Sequence, residues 1–86
     1  MSTILVVEDE PAIAELLVIN LRHAGYATHV VHTADEARAA VATKLPDLVL
    51  LDWMLPGQSG LQLARAWRGE ARTRELPIIM LTARAD

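Results

Sequence analysis

One apolar segment constrains the fold of this chain more than any other. Leu48–Leu51 is a continuous apolar run that stops at a single carboxylate, Asp52, and is followed by a turn containing Pro56 and Gly57. Such a run is typical of a strand buried on both faces of a parallel sheet. Parallel sheets place their ligand sites just beyond the carboxyl ends of the strands. The sequence therefore predicts a functional position for Asp52.

Segments with the properties of strands and helices alternate along the rest of the chain. Further strands are predicted at Thr3–Val7, Tyr26–His32 and Pro77–Leu81, the second as an edge strand. Helices are predicted from Pro11 to Gly25, from Thr33 to about Lys44, and from Ser59 to Gly69. Strands joined by helices are parallel, and their crossovers are right-handed. These features predict an α/β fold with one parallel sheet.

Apolar spacing and capping residues support the three helices. The expected inward stripe of the first helix is Ile13, Leu16, Leu17, Leu21 and Ala24. Thr33 and Glu36 form a capping-box signature for the second helix, and Ser59 is the expected N-cap of the third. The inward stripe of the third helix is expected to contain Leu61, Leu63 or Ala64, and Trp67.

Polar residues follow three of the predicted strands. Glu8 and Asp9 come after the first strand, Asp52 ends the third, and Thr82 follows the fourth. Because the carboxyl ends of parallel strands share one edge of the sheet, we expect these residues to meet. Clustered carboxylates repel one another unless a cation or a proton neutralises part of their charge. Mg²⁺, which prefers carboxylate and carbonyl oxygens, is the expected cation.

Two other interpretations of these acids fit the sequence less well. A zinc site is not expected, because His23, His29 and His32 are predicted to lie away from this edge, on the first helix or the second strand. The acids could instead satisfy free amides at helix entries, where a carboxylate also meets the favourable end of the helix dipole. Asp52 is less suited to this capping role, because Ser59 can cap the following helix.

Composition excludes several classes of function. The absence of cysteine rules out disulfides and thiolate metal sites and fits a cytoplasmic protein. A formal net charge of −3 argues against nucleic-acid binding by this segment itself. No apolar run approaches the roughly 20 residues of a membrane-spanning helix, so no membrane association is expected.

Three motifs in order resemble the receiver domain of bacterial two-component response regulators. They read Ile-Leu-Val-Val-Glu-Asp-Glu at the start, Asp-Leu-Val-Leu-Leu-Asp-Trp-Met-Leu-Pro-Gly in the middle and Met-Leu-Thr-Ala at the end. The resemblance covers the whole chain, residues 1–86. It implies a flavodoxin-like, doubly wound parallel sheet with strand order 2-1-3-4.

The resemblance also implies a role for each site residue. Asp52 would accept a phosphoryl group from a histidine kinase, so the domain would catalyse only its own phosphorylation and dephosphorylation. The implied Mg²⁺ ligands are Asp9, Asp52, the Met54 backbone carbonyl and, through water, Glu8. Thr82 would be the switch hydroxyl, and the Ala83 amide would bind a phosphoryl oxygen. DNA would be bound only by a C-terminal output domain, which is not in this sequence.

The sequence departs from the receiver pattern after Asp86. A fifth strand with its lysine and the last two helices do not appear, and Lys44, the only lysine, is misplaced for that role. We therefore expect a partial receiver whose fourth strand is an open edge, which favours association between copies. An unphosphorylated pseudo-receiver, acting as an interaction module, remains the main alternative.

Two enzyme or cofactor-binding classes fit less well. Aspartate-nucleophile phosphatases resemble this pattern but carry a second Asp two residues after the first, where this chain has Met54. A nucleotide- or flavin-binding domain needs a glycine-rich turn after its first strand, where this chain has Glu8–Pro11.

Overall fold

The strands and helices follow one another in the predicted alternation. The structure, a computed structural model, describes residues 1–81. Its elements are β1 (Thr3–Val7), α1 (Pro11–His23), β2 (Ala27–Val31), α2 (Ala34–Thr43), β3 (Leu48–Asp52), α3 (Gly60–Arg68) and β4 (Ile78–Leu81). None of the described helices is long and apolar enough to cross a membrane.

All four strands form one parallel sheet in the order β2-β1-β3-β4. This order confirms the predicted α/β, receiver-like topology and the edge position of β2. The last pairs of the ladders are Val7 with Val31, Val7 with Leu51, and Asp52 with Leu81. The carboxyl ends of the strands therefore lie side by side, as the sequence predicted.

Side chains cap α2 and α3 at the predicted positions. The Ser59 hydroxyl accepts from the Gln62 amide at 3.2 Å, and the Gln62 side chain accepts from the Ser59 amide at 3.2 Å, which completes a capping box. At α2 the Thr33 hydroxyl accepts from the Glu36 amide at 3.1 Å. The Glu36 carboxylate, however, accepts from the His32 amide and not from that of Thr33, so only half of the predicted box forms.

The sheet separates two apolar clusters. Leu5, Val7 and Leu51 point to one face and pack with residues of α2 and α3, including Leu63 and Trp67. This confirms the burial of Leu63 and Trp67 predicted for α3. On the other face, Ile4, Val6 and Leu50 pack against Leu17 and Leu21 of α1.

The inward stripe predicted for α1 is only partly correct. Leu17 and Leu21 pack on the sheet, but Ile13 and Leu16 are 47% and 61% exposed. The apolar face that periodicity predicts for α1 is wider than the part of that face that contacts the sheet, so its outer residues stay exposed. Within residues 1–81, no element packs over the outer side of this stripe.

Candidate functional site

Three carboxylates meet where β1 and β3 end. Glu8 and Asp9 follow β1 directly, and Asp52 is the last residue of β3. One oxygen from each of the three carboxylates lies within 4.8 Å of the other two. Among them Glu8 is buried, Asp52 is half-buried and Asp9 is exposed. The cluster thus opens to solvent on the Asp9 side.

The sheet interior holds this cluster in place. Val7 and Leu51, the neighbours of Glu8 and Asp52 in sequence, are completely buried and lie opposite each other in the ladder. Alternation along a strand turns neighbouring side chains to opposite faces. The buried positions of Val7 and Leu51 therefore fix the positions of Glu8 and Asp52, which directly follow them.

The loop between β3 and α3 returns tightly onto Asp52. The Gly60 amide donates to the Trp53 carbonyl at 2.8 Å, and the Met54 amide is 3.4 Å from a carboxylate oxygen of Asp52. A Cβ atom on Gly60 would lie 2.0 Å from the Asp52 carbonyl oxygen. Only glycine allows this approach, so the start of α3 packs directly against the backbone of the acidic cluster.

Glu8 shows the electrostatic state of the cluster. The pKa of its carboxyl is raised from 4.5 to about 7, mainly by burial. The Glu10 amide lowers this pKa, while the charge of Asp52, a hydrogen bond with Asp52 and the charge of Asp9 contribute to the rise. That amide donates to the Glu8 carboxylate at 3.1 Å. The ionised form of Glu8 is therefore disfavoured first by its burial and then by the neighbouring carboxylates.

The donor set fits a hard divalent cation. All three groups are carboxylates, and one is exposed enough to leave room for water, which Mg²⁺ usually retains. Glu8, Asp9 and Asp52 are the residues that can hold such an ion, and Mg²⁺ would supply the positive charge that the cluster lacks.

The predicted site residues differ in how far the structure describes them. Glu8, Asp9 and Asp52 are brought together, as expected. Met54 lies in the adjoining loop, and the role of its carbonyl as a ligand remains a prediction. β4 ends at Leu81, beside Asp52 in the ladder. Thr82 and Ala83 lie outside the described residues, and their roles also remain predictions.

The expectation for His32 was wrong. It was placed away from this edge of the sheet, but its imidazole Nδ1 lies 2.8 Å from the backbone carbonyl oxygen of Glu8. The reason is the register of β1 and β2: Val7 pairs with Val31, so the residues that follow them are neighbours. The contact follows from this register, which the structure gives and the sequence of either strand alone does not.

Replacing Glu8 with Gln tests the charge state of the cluster. Because the pKa of Glu8 is higher in the folded than in the unfolded protein, the folded state is favoured when this carboxyl is protonated. The contribution of Glu8 to the free energy of unfolding is therefore fully present below pH 4.5 and is lost as the pH rises through about 7. In metal-free buffer, we expect Glu8→Gln to unfold at higher denaturant concentration than the parent above pH 7, with little difference near pH 4.5. Denaturant titrations at several pH values measure this.

Glu15, an exposed carboxylate on α1, provides the matched control. Glu15→Gln lies away from the acidic cluster and should not reproduce the pH-dependent gain. A difference between Glu8→Gln and the parent that stays constant from pH 4.5 to above pH 7 would contradict the raised pKa.

A parallel α/β sheet with an acidic cluster at its carboxyl edge defines the class of protein, and comparison with known proteins identifies the family. Residues 4–86 match the response regulator receiver domain model. The chain is 45% identical to the phosphate regulon transcriptional regulatory protein PhoB of Pseudomonas aeruginosa, over 98% of this chain and 37% of that relative. This chain belongs to the receiver domain family of response regulators.

Solved structures give the same result. Response regulator TrrA from Thermotoga maritima, in complex with Mg²⁺-BeF, is 40% identical, with a TM-score of 0.90 over 99% of this chain and 72% of that one. The receiver domain of sensor histidine kinase PA1611 from Pseudomonas aeruginosa, with a magnesium ion in its active-site cleft, is 33% identical, with a TM-score of 0.89 over 95% of this chain and 67% of that one. The chain spans 37% of the length of the PhoB relative.

Proposed function

We propose that this receiver domain takes up a phosphoryl group on Asp52, from a phosphorylated histidine of a sensor kinase, in a reaction that requires Mg²⁺. The observation that carries the proposal is the meeting of the Asp52 carboxylate with those of Glu8 and Asp9 within 4.8 Å. A nucleophile that must attack an anionic phosphoryl group needs positive charge beside it, and this arrangement can hold a divalent cation there.

The reaction exchanges one bond to phosphorus for another. An Asp52 carboxylate oxygen forms a bond to phosphorus while the bond from phosphorus to the histidine nitrogen breaks, and the electron pair of that bond stays on the imidazole. The product is an acyl phosphate on Asp52. In such transfers the protein mainly positions groups and offsets charge on the phosphoryl oxygens.

The other residues of the site have supporting roles in this proposal. Glu8 and Asp9 hold the cation together with Asp52, and the Met54 carbonyl completes the protein ligands. Thr82 donates a hydroxyl hydrogen bond to one phosphoryl oxygen, and the Ala83 amide donates to another. These donors stabilise the phosphorylated form, so the state of Asp52 is communicated along β4.

The partners follow from the same reaction. A sensor histidine kinase supplies the phosphoryl group, and this receiver acts in the cytoplasm. The similarity to a transcriptional regulatory protein supports control of transcription through a DNA-binding output domain in the intact protein. The net charge of −3 is consistent with a receiver that leaves DNA contact to another domain.

Acetyl phosphate, a small phosphodonor, tests the proposed function without a partner kinase. In the presence of Mg²⁺, intact mass spectrometry should detect the addition of one phosphoryl group, and chelation of Mg²⁺ should prevent it. An unchanged mass with Mg²⁺ present would favour the alternative of an unphosphorylated interaction module.

We also propose that copies of this chain associate through β4. In the described part of the chain β4 has a strand neighbour on one side only, and its Ile79 side chain is 52% exposed. An open apolar edge favours pairing with another chain, and a lysine on such an edge opposes it. Sedimentation should show concentration-dependent association that Ile79→Lys weakens.

Leu45, which is 41% exposed in the segment between α2 and β3, provides the control for this substitution. Leu45→Lys adds the same charge outside β4 and should leave the association unchanged. A folded parent that stays monomeric at high concentration would contradict association through β4.

A further inference from the structure

The backbone of Glu8 is attached to the end of β2 on both sides. Its amide donates to the Val31 carbonyl at 3.1 Å, which extends the ladder between β1 and β2 by one bond. Its carbonyl accepts from the His32 imidazole, with Nδ1 at 2.8 Å. Both backbone groups of Glu8 are therefore hydrogen-bonded to residues at the end of β2.

The imidazole is needed because the backbone of β2 turns away here. The His32 amide already donates to the Glu36 carboxylate at 2.8 Å, and Thr33 serves as the N-cap of α2. A carbonyl oxygen can only accept, so Nδ1 must carry the hydrogen in this contact. The side chain of His32 supplies a donor at the point where the regular ladder stops.

The carbonyl in this contact belongs to the peptide that joins Glu8 to Asp9. Glu8 is only 4% exposed, and its carboxylate accepts from the Glu10 amide. A shift of the Glu8 carbonyl would rotate the peptide that joins Glu8 to Asp9 and would change the separation of both carboxylates from Asp52. Groups that orient metal ligands without touching the metal commonly affect its affinity 10- to 100-fold.

We propose that His32 is a positioning residue for the acidic cluster. Its Nδ1–H group holds the Glu8 carbonyl and thereby sets the Glu8 and Asp9 carboxylates at the spacing that a divalent cation requires. The inference rests on the proposed Mg²⁺ binding of the cluster, and it adds a residue outside the three motifs that identified the family. His32 touches neither the cation nor the phosphoryl group.

Two amide substitutions separate the hydrogen bond from other effects of the side chain. The amide nitrogen of Asn stands one bond beyond Cγ, as Nδ1 does in histidine, whereas that of Gln stands one bond further out. His32→Asn can therefore keep the donor, and His32→Gln misplaces it. His29→Gln, the same change on an exposed histidine within β2, is the control.

The experiment measures the Mg²⁺ dissociation constant of the folded proteins from the backbone amide signals of Asp9 and Trp53 by NMR. We expect His32→Gln to raise this constant about tenfold. His32→Asn should stay within about threefold of the parent, and His29→Gln should match the parent. Thermal unfolding without Mg²⁺ is recorded in parallel, because a purely structural role would lower the unfolding temperature and leave the Mg²⁺ affinity unchanged.

The outcomes distinguish this inference from the proposed function. A parent that binds Mg²⁺, with equal affinity in the parent, His32→Asn and His32→Gln, would overturn the positioning role and leave the proposed function intact. Equal weakening in His32→Asn and His32→Gln would also overturn it, because the donor position would then not matter. A parent that does not bind Mg²⁺ would overturn both.

Discussion

Replacing Asp52 with Asn should abolish phosphorylation. Asn is nearly the same size as Asp but has no carboxylate oxygen that can form an acyl phosphate, so the reaction loses its nucleophile. With acetyl phosphate and Mg²⁺, we expect the rate of phosphoryl addition to fall by at least about 100-fold. Intact mass spectrometry over a time course provides the rate.

The matched control for this variant is Asp35→Asn. The Asp35 side chain is 95% exposed on α2, where it pairs with Arg38 at the surface. Exposed pairs of this kind contribute at most about 1 kcal/mol, so this variant should fold and react like the parent. Phosphoryl addition to Asp52→Asn at the parent rate would show that another residue is the acceptor.

Replacing Gly60 with Ala should strongly destabilise the fold. The added Cβ would lie 2.0 Å from the Asp52 carbonyl oxygen and 3.2 Å from the Met80 side chain. The first of these contacts is with the backbone of the last residue of β3, which pairs with Leu81 of β4, so relieving it would shift the end of β3. We expect a loss of about 3 kcal/mol in the free energy of unfolding.

Gly69→Ala makes the same chemical change at the other end of α3. Its Cβ would meet the nearest atoms at 3.5 and 3.7 Å, which are ordinary contacts, and Gly69 has a helical conformation with φ −83°. The free energy of unfolding should therefore change by less than about 1 kcal/mol. Urea unfolding of both variants measures the difference. Equal stability of Gly60→Ala and Gly69→Ala would contradict the close approach of α3 to Asp52.

The acidic cluster could be predicted from the sequence because it depends on a few strong constraints. The apolar run before Asp52 specifies a buried strand, and alternation with helices specifies parallel neighbours. Parallel strands deliver their carboxyl ends to one edge, so Glu8 and Asp9 had to meet Asp52. No detailed packing is needed for this conclusion.

The features that were missed depend on geometry between elements. The exposure of Ile13 and Leu16 depends on the area of contact between α1 and the sheet. Helical periodicity predicts which residues share a face, but it does not predict this area. The contact of His32 with Glu8 depends on the register of two strands, which neither strand specifies alone. The half-formed capping box has the same origin, because Glu36 bonds to the His32 amide in the turn that follows β2.

Locating the modified residue tests most directly whether Asp52 is the phosphoacceptor. The protein is treated with acetyl phosphate and Mg²⁺ and then reduced with borohydride, which converts an aspartyl phosphate to homoserine. Peptide sequencing by mass spectrometry identifies the position. We predict homoserine at position 52 and at no other aspartate. Homoserine at Asp9 or elsewhere, with Asp52 unmodified, would contradict the assignment.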